Sequence, residues 1–251
     1  MFRYTVFLLL SSFFPLFGFA QALANTSSAP ASDPSSASPG IRTRPAASER
    51  STISLQRLKV PPKARQLYDQ ALQAWGKHQV SRAQHKIDRT LQLAPDFPDA
   101  LTLLGAIQTA DRQWQSAERN LQAAIRSDPS FSPAYVVLAG VYNSEGRYDE
   151  AQRVTEQALA AGAATWSVDY EIVRALIGKG DYQGAVAVSD SALRSTHGAL
   201  MHLARAHALL GLRRYSEAVA DIRTYLHDEP TGDGSQDAHE LLIRLQSFAS
   251  R

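Results

Sequence analysis

The sequence predicts an all-α protein built as a stack of helix pairs, and three observations lead to that prediction. An alanine recurs at Ala83, Ala117, Ala151, Ala185 and Ala218, in steps of 34, 34, 34 and 33 residues. The apolar residues around each alanine follow helical spacing, so each unit contains amphipathic helices. One such helix pair cannot bury its apolar stripe alone, and neighbouring pairs must therefore stack on one another.

Composition excludes several classes of protein. The chain has 251 residues, 44% of them hydrophobic, which excludes a wholly disordered protein. It has 26 basic and 24 acidic residues and a net charge of +2, too balanced for a dedicated nucleic-acid or membrane-surface binder. The absence of cysteine excludes disulfides, thiolate nucleophiles, zinc knuckles, iron–sulfur clusters and covalently attached haem.

Residues 1–24 have the pattern of a secretory signal peptide. A basic residue, Arg3, precedes an apolar run over 6–20, and the segment ends in Ala22-Leu23-Ala24. We expect cleavage after Ala24 and an exported protein, periplasmic or secreted, without stable membrane insertion afterwards. An uncleaved anchor is the alternative, although the run is shorter than the roughly 20 residues that span a bilayer.

Residues 25–60 are predicted to be a disordered linker that ends in a short extended segment. Ser, Ala, Pro and Thr make up 21 of these 36 residues, and no aromatic residue is present. Residues 51–60 include the apolar Ile53, Leu55, Leu58 and Val60 and precede Pro61-Pro62, so we expect extended backbone there, packed against the first helices. The linker carries a net charge of +3, which suits a solubilising spacer or contact with an anionic envelope surface.

The repeats have a common sequence phrase around the alanine. It reads HQVSRA, RQWQSA, GRYDEA, GDYQGA and RRYSEA in turn. A large residue always lies three positions before the alanine: Val80, Trp114, Tyr148, Tyr182 and Tyr215. By register Trp114, Tyr148, Tyr182 and Tyr215 are predicted to pack between helices, whereas Trp75 and Trp166 fall outside the register.

These motifs resemble the tetratricopeptide repeat (TPR) family, in which the first helix carries a small residue and the second carries two alanines. The unit at 132–165 is most similar, with Ala139, Tyr142, Gly146, Tyr148 and Ala151 in place. The resemblance implies a right-handed α-solenoid domain over 61–251. Its predicted repeats are 64–97, 98–131, 132–165, 166–198 and 199–232, followed by a capping helix over 235–249. His78 and Val80 depart from the usual Gly and Tyr.

No catalytic or metal-binding pattern is present, and the protein is predicted not to be an enzyme and to need no cofactor. The seven histidines include no H-E-x-x-H pair and no pair spaced as metal ligands; they are interpreted as scattered surface residues. Nucleophile elbows and phosphate-binding glycine loops are missing as well.

The resemblance implies that the first helix of each repeat lines a concave groove. The predicted partner-binding residues, placed by register, are Tyr68, Asp69, Trp75, Thr102, Asn143, Tyr170, Glu171, Arg174 and His207. Their mixed chemistry suits a protein or peptide partner, extended or helical. A second interpretation is that residues 51–60 or the terminal helix cover the groove.

The sequence therefore predicts a non-enzymatic, exported scaffold that mediates protein–protein interactions in a bacterial envelope. Two alternatives remain: a self-assembling structural protein of the envelope, and an accessory subunit of an envelope assembly or secretion complex. The identity of the partner is not encoded in any recognisable motif.

Overall fold

A computed structural model describes residues 59–195, 198–232 and 234–249. The described part of the chain contains eleven α-helices and no strand, which confirms the all-α prediction. The helices are α1 (Pro62–Gly76), α2 (Val80–Leu93), α3 (Pro98–Ala110), α4 (Trp114–Ser127), α5 (Ser132–Ser144), α6 (Tyr148–Ala160), α7 (Trp166–Lys179), α8 (Tyr182–Ser195), α9 (Ala199–Gly211), α10 (Tyr215–Asp228) and α11 (Ser235–Ala249). The predicted signal peptide and the linker up to residue 58 lie outside the described residues.

The first ten helices form five antiparallel pairs, called pairs one to five below, each made of a first and a second helix. Within a pair the two helices pack on each other, and each second helix also packs on the first helix of the next pair. First helices pack on the following first helix in pairs two to five. The array is therefore a solenoid in which each pair contacts its neighbours.

The recurring alanines are the closest packing points of the stack. All five of them, Ala83 to Ala218 in steps of the repeat, are 0% exposed. Small residues in the first helices serve the same purpose. A Cβ atom added at Gly105 would lie 2.6 Å from Cγ of Leu121, because the α3 backbone approaches α4 at that point. The small residues therefore set the distance between the two helices of a pair.

The turn inside each pair repeats one backbone conformation. The residues at this position, His78, Arg112, Gly146, Gly180 and Arg213, all have φ between 56° and 81°. In pair three, Gly146 N–H donates to the Asn143 carbonyl and Arg147 N–H donates to the Tyr142 carbonyl, and these bonds end α5. Departures from glycine such as His78 therefore change the residue without changing the turn.

Each second helix begins at the large residue identified in the sequence. The Tyr148 ring lies on Gly178 of the next pair, where an added Cβ would approach the ring to 2.2 Å. The Tyr182 ring lies on Gly211 in the same way, at 2.4 Å. The prediction of interhelix packing is wrong at Tyr215, which is 53% exposed; Val80, at the other end of the array, is 42% exposed.

The ends of the described chain pack on the array. At the C-terminal end, Ala238 is 1% exposed and Leu241, Leu242 and Leu245 pack on the core of pair five. At the other end, Val60 is buried in the core of pair one. Lys59 is helical, so the expectation of extended backbone is wrong at that residue; residues 51–58 of the predicted segment lie outside the described residues.

Candidate partner-binding groove

The groove is the surface lined by the first helices, and the structure packs most of the predicted groove residues tightly. Six of the nine predicted side chains are 0–8% exposed: Tyr68, Trp75, Thr102, Asn143, Tyr170 and Glu171. Asp69 is exposed, and Arg174 and His207 are half-buried. Tyr68, Trp75 and Tyr170 lie at predicted groove positions but are buried, so they present little surface to a partner.

Close packing of successive first helices causes this burial. In α3, 11 of the 13 residues are buried, including Asp99 at 1% exposed and Thr102 at 0%. Trp75 belongs to the apolar core of pair one, where the Tyr68 and Phe97 rings also meet edge to face at 5.2 Å. The register of a repeat identifies the side that a residue faces, but the distance to the neighbouring helix decides whether the residue is accessible.

The structure brings three of the predicted residues together as one polar cluster. The Asn143 amide donates to both Oε2 of Glu171, at 2.8 Å, and the Glu171 carbonyl oxygen, at 3.0 Å. Nη1 of Arg174 contacts both carboxylate oxygens of Glu171, at 2.9 and 3.0 Å. The cluster lies beside Gly140, where an added Cβ would be 3.6 Å from Oε1 of Glu171. Arg174 of the same helix thus neutralises the buried carboxylate, and Asn143 adds a hydrogen bond from the preceding pair.

Some hydrogen-bonding capacity remains unused on this side of the array. Among the described residues, Oδ1 of Asn143 and Oγ1 of Thr102 are buried oxygen atoms without a hydrogen-bond partner. A buried polar atom that lacks a partner costs about 1–3 kcal/mol. Burial also raises the pKa of the neighbouring Tyr170, so its hydroxyl stays protonated.

The groove is accessible mainly at its two ends. In pair one, Arg65 and Asp69 are exposed and Leu72 is half-buried. In pair five, Leu203 and His207 are half-buried, and the start of α11 lies beside them: an added Cβ at Gly234 would be 3.6 Å from Leu203. Desolvation lowers the pKa of His207 below 6.5, against an opposing effect of Asp237.

Two interhelix ion clusters were not predicted from the sequence. Tyr142 Oη donates to Oε1 of Glu118 at 2.7 Å, and Arg147 contacts Oε2 of Glu118 at 3.1 Å. The guanidinium also lies 4.3 Å from the centre of the Tyr142 ring. Burial and the Glu118 hydrogen bond raise the pKa of Tyr142 to about 12.

The second cluster surrounds Asp221, which is 3% exposed. Its carboxylate contacts Nε and Nη2 of Arg205 at 2.8 and 2.7 Å and Nδ1 of His202 at 2.9 Å. Arg205 also contacts Asp190 at 2.6 Å. His202 is therefore an interhelix residue and not the surface residue expected. No local pattern could have found these pairs, since their members lie 15 to 29 residues apart in the chain.

Metal-ligand clusters and membrane-spanning helices are not found in the part of the chain that the structure describes. Among the described residues, no three His, Asp or Glu side chains come together as metal ligands. None of the helices in the described ranges has the length and apolar character needed to cross a bilayer.

The comparisons with known proteins agree with the repeat pattern. Two sequence models described as tetratricopeptide repeat match residues 108–167, and 68–130 with 144–199, so together they span more than half of the chain. No curated protein matches the sequence significantly.

Three solved structures illustrate the structural similarity. The crystal structure of TTC0263, a thermophilic TPR protein in Thermus thermophilus, has 18% identity and a TM-score of 0.65, covering 73% of this chain and 98% of its own. PilF of Pseudomonas aeruginosa has 17% identity, a TM-score of 0.61 and coverages of 75% and 85%. PilW, a type IV pilus biogenesis factor, has 11% identity, a TM-score of 0.63 and coverages of 74% and 92%.

Proposed function

Because the chain belongs to the tetratricopeptide repeat family, we propose that it is a non-enzymatic scaffold that holds a protein partner in a bacterial envelope. The fold itself supports a protein–protein interaction scaffold. The finer proposal concerns where the partner binds and where the protein acts. At 11–18% identity the solved structures share only the fold, so the role of PilW in pilus biogenesis is not transferred to this chain.

The observation that carries the proposal is the distribution of accessible groups along the groove. Polar and apolar side chains are paired at each end, Asp69 with Leu72 in pair one and His207 with Leu203 in pair five. Between them lies the Asn143–Glu171–Arg174 cluster. An extended segment of a partner could contact both ends and cross the cluster, which suits recognition by hydrogen bonds with apolar anchors.

Capture from the native envelope tests this site. The groove variant Asp69→Arg/His207→Arg changes charge and size at both ends. Its control is Arg126→Glu/Arg194→Glu, which changes two arginines on the second helices α4 and α8. We expect the groove variant to lose at least about tenfold in affinity for the captured partner and the control to retain it. Loss in the control alone would place the partner on the second helices.

The exported location rests on residues 1–24 of the sequence. Replacing Ala24 with Phe should prevent cleavage after that residue and leave a longer, membrane-attached chain. Mass spectrometry of the N-terminal peptide shows whether the chain has been cleaved after residue 24. A wild-type protein found in the envelope with Met1 intact would support the uncleaved anchor instead.

A further inference from the structure

The two ends of the array carry opposite charges. In pair one, Lys77, Arg82, Lys86 and Arg89 lie in the turn before α2 or along it, and all four are at least partly exposed. Within the described residues none of the four forms an ion pair with an acidic side chain; Arg82 bonds only to the neutral Gln79, at 3.2 Å. These side chains are called the basic end.

The register of the repeat places Lys86 of the basic end at a position that, in pair five, is linked to the preceding pair. Asp221 of pair five occupies the position in its helix that Lys86 occupies in pair one. Asp221 is covered by Arg205, which itself reaches Asp190 of the preceding pair. Arg205 belongs to pair five itself and links it to pair four; within the described residues no helix pair precedes pair one, so none of them makes such a link beside Lys86.

The opposite end is acidic. Between Arg223 and Arg244 the sequence has five acidic residues and no Lys or Arg. Four of the acidic residues, in the turn after α10 and in α11, have exposed side chains and are called the acidic end: Asp228, Glu229, Asp237 and Glu240.

The contact between aromatic rings and glycines is also incomplete at both ends. Inside the array Tyr148 lies on Gly178 and Tyr182 lies on Gly211. Tyr215 is the next ring in this register, and at 53% exposed it is not covered by α11. Gly76 is the corresponding position of the first helix α1, and an added Cβ there meets no atom within 4 Å. Within the described ranges, the ring of Tyr215 therefore lies on no glycine, and no aromatic ring lies on Gly76.

Exposed apolar side chains follow the same distribution. Of the six large apolar side chains that are exposed among the described residues, Val80 and Leu93 lie on α2, and Tyr215 and Ile243 lie on α10 and α11. Each end therefore combines apolar contact area with charge, and the charges of the two ends are complementary.

From these observations we propose that the protein associates head to tail with a second copy of itself, the acidic end and Tyr215 of one copy docking on the basic end and Gly76 of the next. The contact joins different surfaces of the two copies, so it leaves one end of each free and allows chains to grow. Charge attraction makes the association sensitive to salt. This head-to-tail association goes beyond the proposed function, because it uses the ends of the array and not the groove.

Sedimentation velocity of the natively processed chain over a range of concentrations tests the proposal. At low salt we expect concentration-dependent association that weakens at least about tenfold at high salt. Gly76→Gln should weaken it by a similar factor because the added side chain occupies the place of the incoming ring. The same variant should not lower the melting temperature of the monomer, since the position is open. A monomer at every concentration and salt would overturn the proposal.

Exchange of charges identifies the surfaces involved. Lys86→Glu/Arg89→Glu and Asp228→Lys/Glu229→Lys should each abolish self-association, because each double substitution cancels the net charge of one end and leaves the other end without a complementary surface. Mixing the two variants should restore it. Failure of the mixture to associate would contradict this interface. A wild-type monomer that instead sediments with anionic phospholipid vesicles through Lys86 and Arg89 would also reject it, in favour of a lipid surface.

Discussion

Two junctions of the same array are packed differently. Between pairs two and three, helices α4 and α5 meet through Leu121, Val141 and Tyr142, which are 0–5% exposed. Between pairs three and four, the residues one period later are Thr155, Ala175 and Leu176. These smaller side chains line a cleft of about 240 Å³ between α6 and α7.

The difference shows that the period fixes the position of a side chain but not the volume that fills the position. The recurring alanines and the aromatic–glycine contact are present at the second junction, since Ala151 is 0% exposed and Tyr148 lies on Gly178. The helices therefore keep their spacing while the space between them is incompletely filled. Atoms lining such a space lose dispersion contacts on one side.

The polar contacts made by the residues at equivalent positions of the two junctions also differ. At the first junction Tyr142 and Arg147 reach across to Glu118 of the preceding pair. At the second junction the Thr155 hydroxyl donates to the Gln152 carbonyl of its own helix, at 2.8 Å. The second junction is linked by other residues, since Asn143 donates to Glu171 and Lys179 contacts Asp149 at 2.9 Å. Glu118→Lys would break the contacts of Glu118 with Tyr142 and Arg147 at the first junction.

The largest effect is expected when Leu121 of the first junction is replaced by threonine, the residue at the equivalent position of the second junction. Leu121→Thr should lower the free energy of unfolding by about 2–4 kcal/mol, because Leu121 is fully buried and its loss leaves a cavity. Chemical denaturation measures the change. A loss below about 0.5 kcal/mol would mean that the junction collapses around the smaller residue.

A smaller loss is expected from filling the aromatic–glycine contact. Gly178→Ala should cost about 1–3 kcal/mol, because the added methyl group meets the Tyr148 ring and must displace it. Gly76→Ala is the matched control in α1, where the added methyl group meets nothing, and it should stabilise the helix slightly. Equal effects of the two substitutions on thermal melting would show that the contact is unimportant.

Filling the cleft should stabilise the protein. Thr155→Leu adds apolar volume beside Ala175 and Leu176 and removes a hydroxyl that bonds only within its own helix. We expect a gain of about 0.5–1.5 kcal/mol in the free energy of unfolding. Calorimetry compares this variant with Leu121→Thr, which makes the opposite exchange at the first junction. Destabilisation by both substitutions would contradict the proposed difference in packing between the junctions.

The smallest effect concerns the polar link. Tyr142→Phe removes the hydroxyl that donates to Glu118 and keeps the ring under Arg147. We expect a loss of about 0.5–1 kcal/mol. A double-mutant cycle of Tyr142→Phe with Glu118→Gln separates the Tyr142–Glu118 hydrogen bond from the ion pair between Glu118 and Arg147. Additive effects of the two substitutions in urea melts would show that Tyr142 and Glu118 are not coupled.

Much of the fold could be predicted from local sequence, whereas little of the groove could. Burial of Ala83 and its counterparts follows from a period that any reader of the sequence can count. The accessibility of Tyr170 and Trp75 does not, because both lie at groove positions and are buried by neighbouring helices. The Asn143–Glu171–Arg174 cluster was predicted as separate groove residues, and its joining depends on the approach of α5 to α7.

The sequence by itself determined the number of helix pairs, their register and the family, because helical periodicity and small residues at close contacts are local properties of the chain. The tertiary structure decided which groove residues remain accessible, which ion clusters link the pairs, and which junction is left partly empty. It also showed that the aromatic–glycine contact is left incomplete at Tyr215 and Gly76, the two ends of the described array. These features depend on distances between residues far apart in the sequence, and such distances are fixed only when the pairs stack.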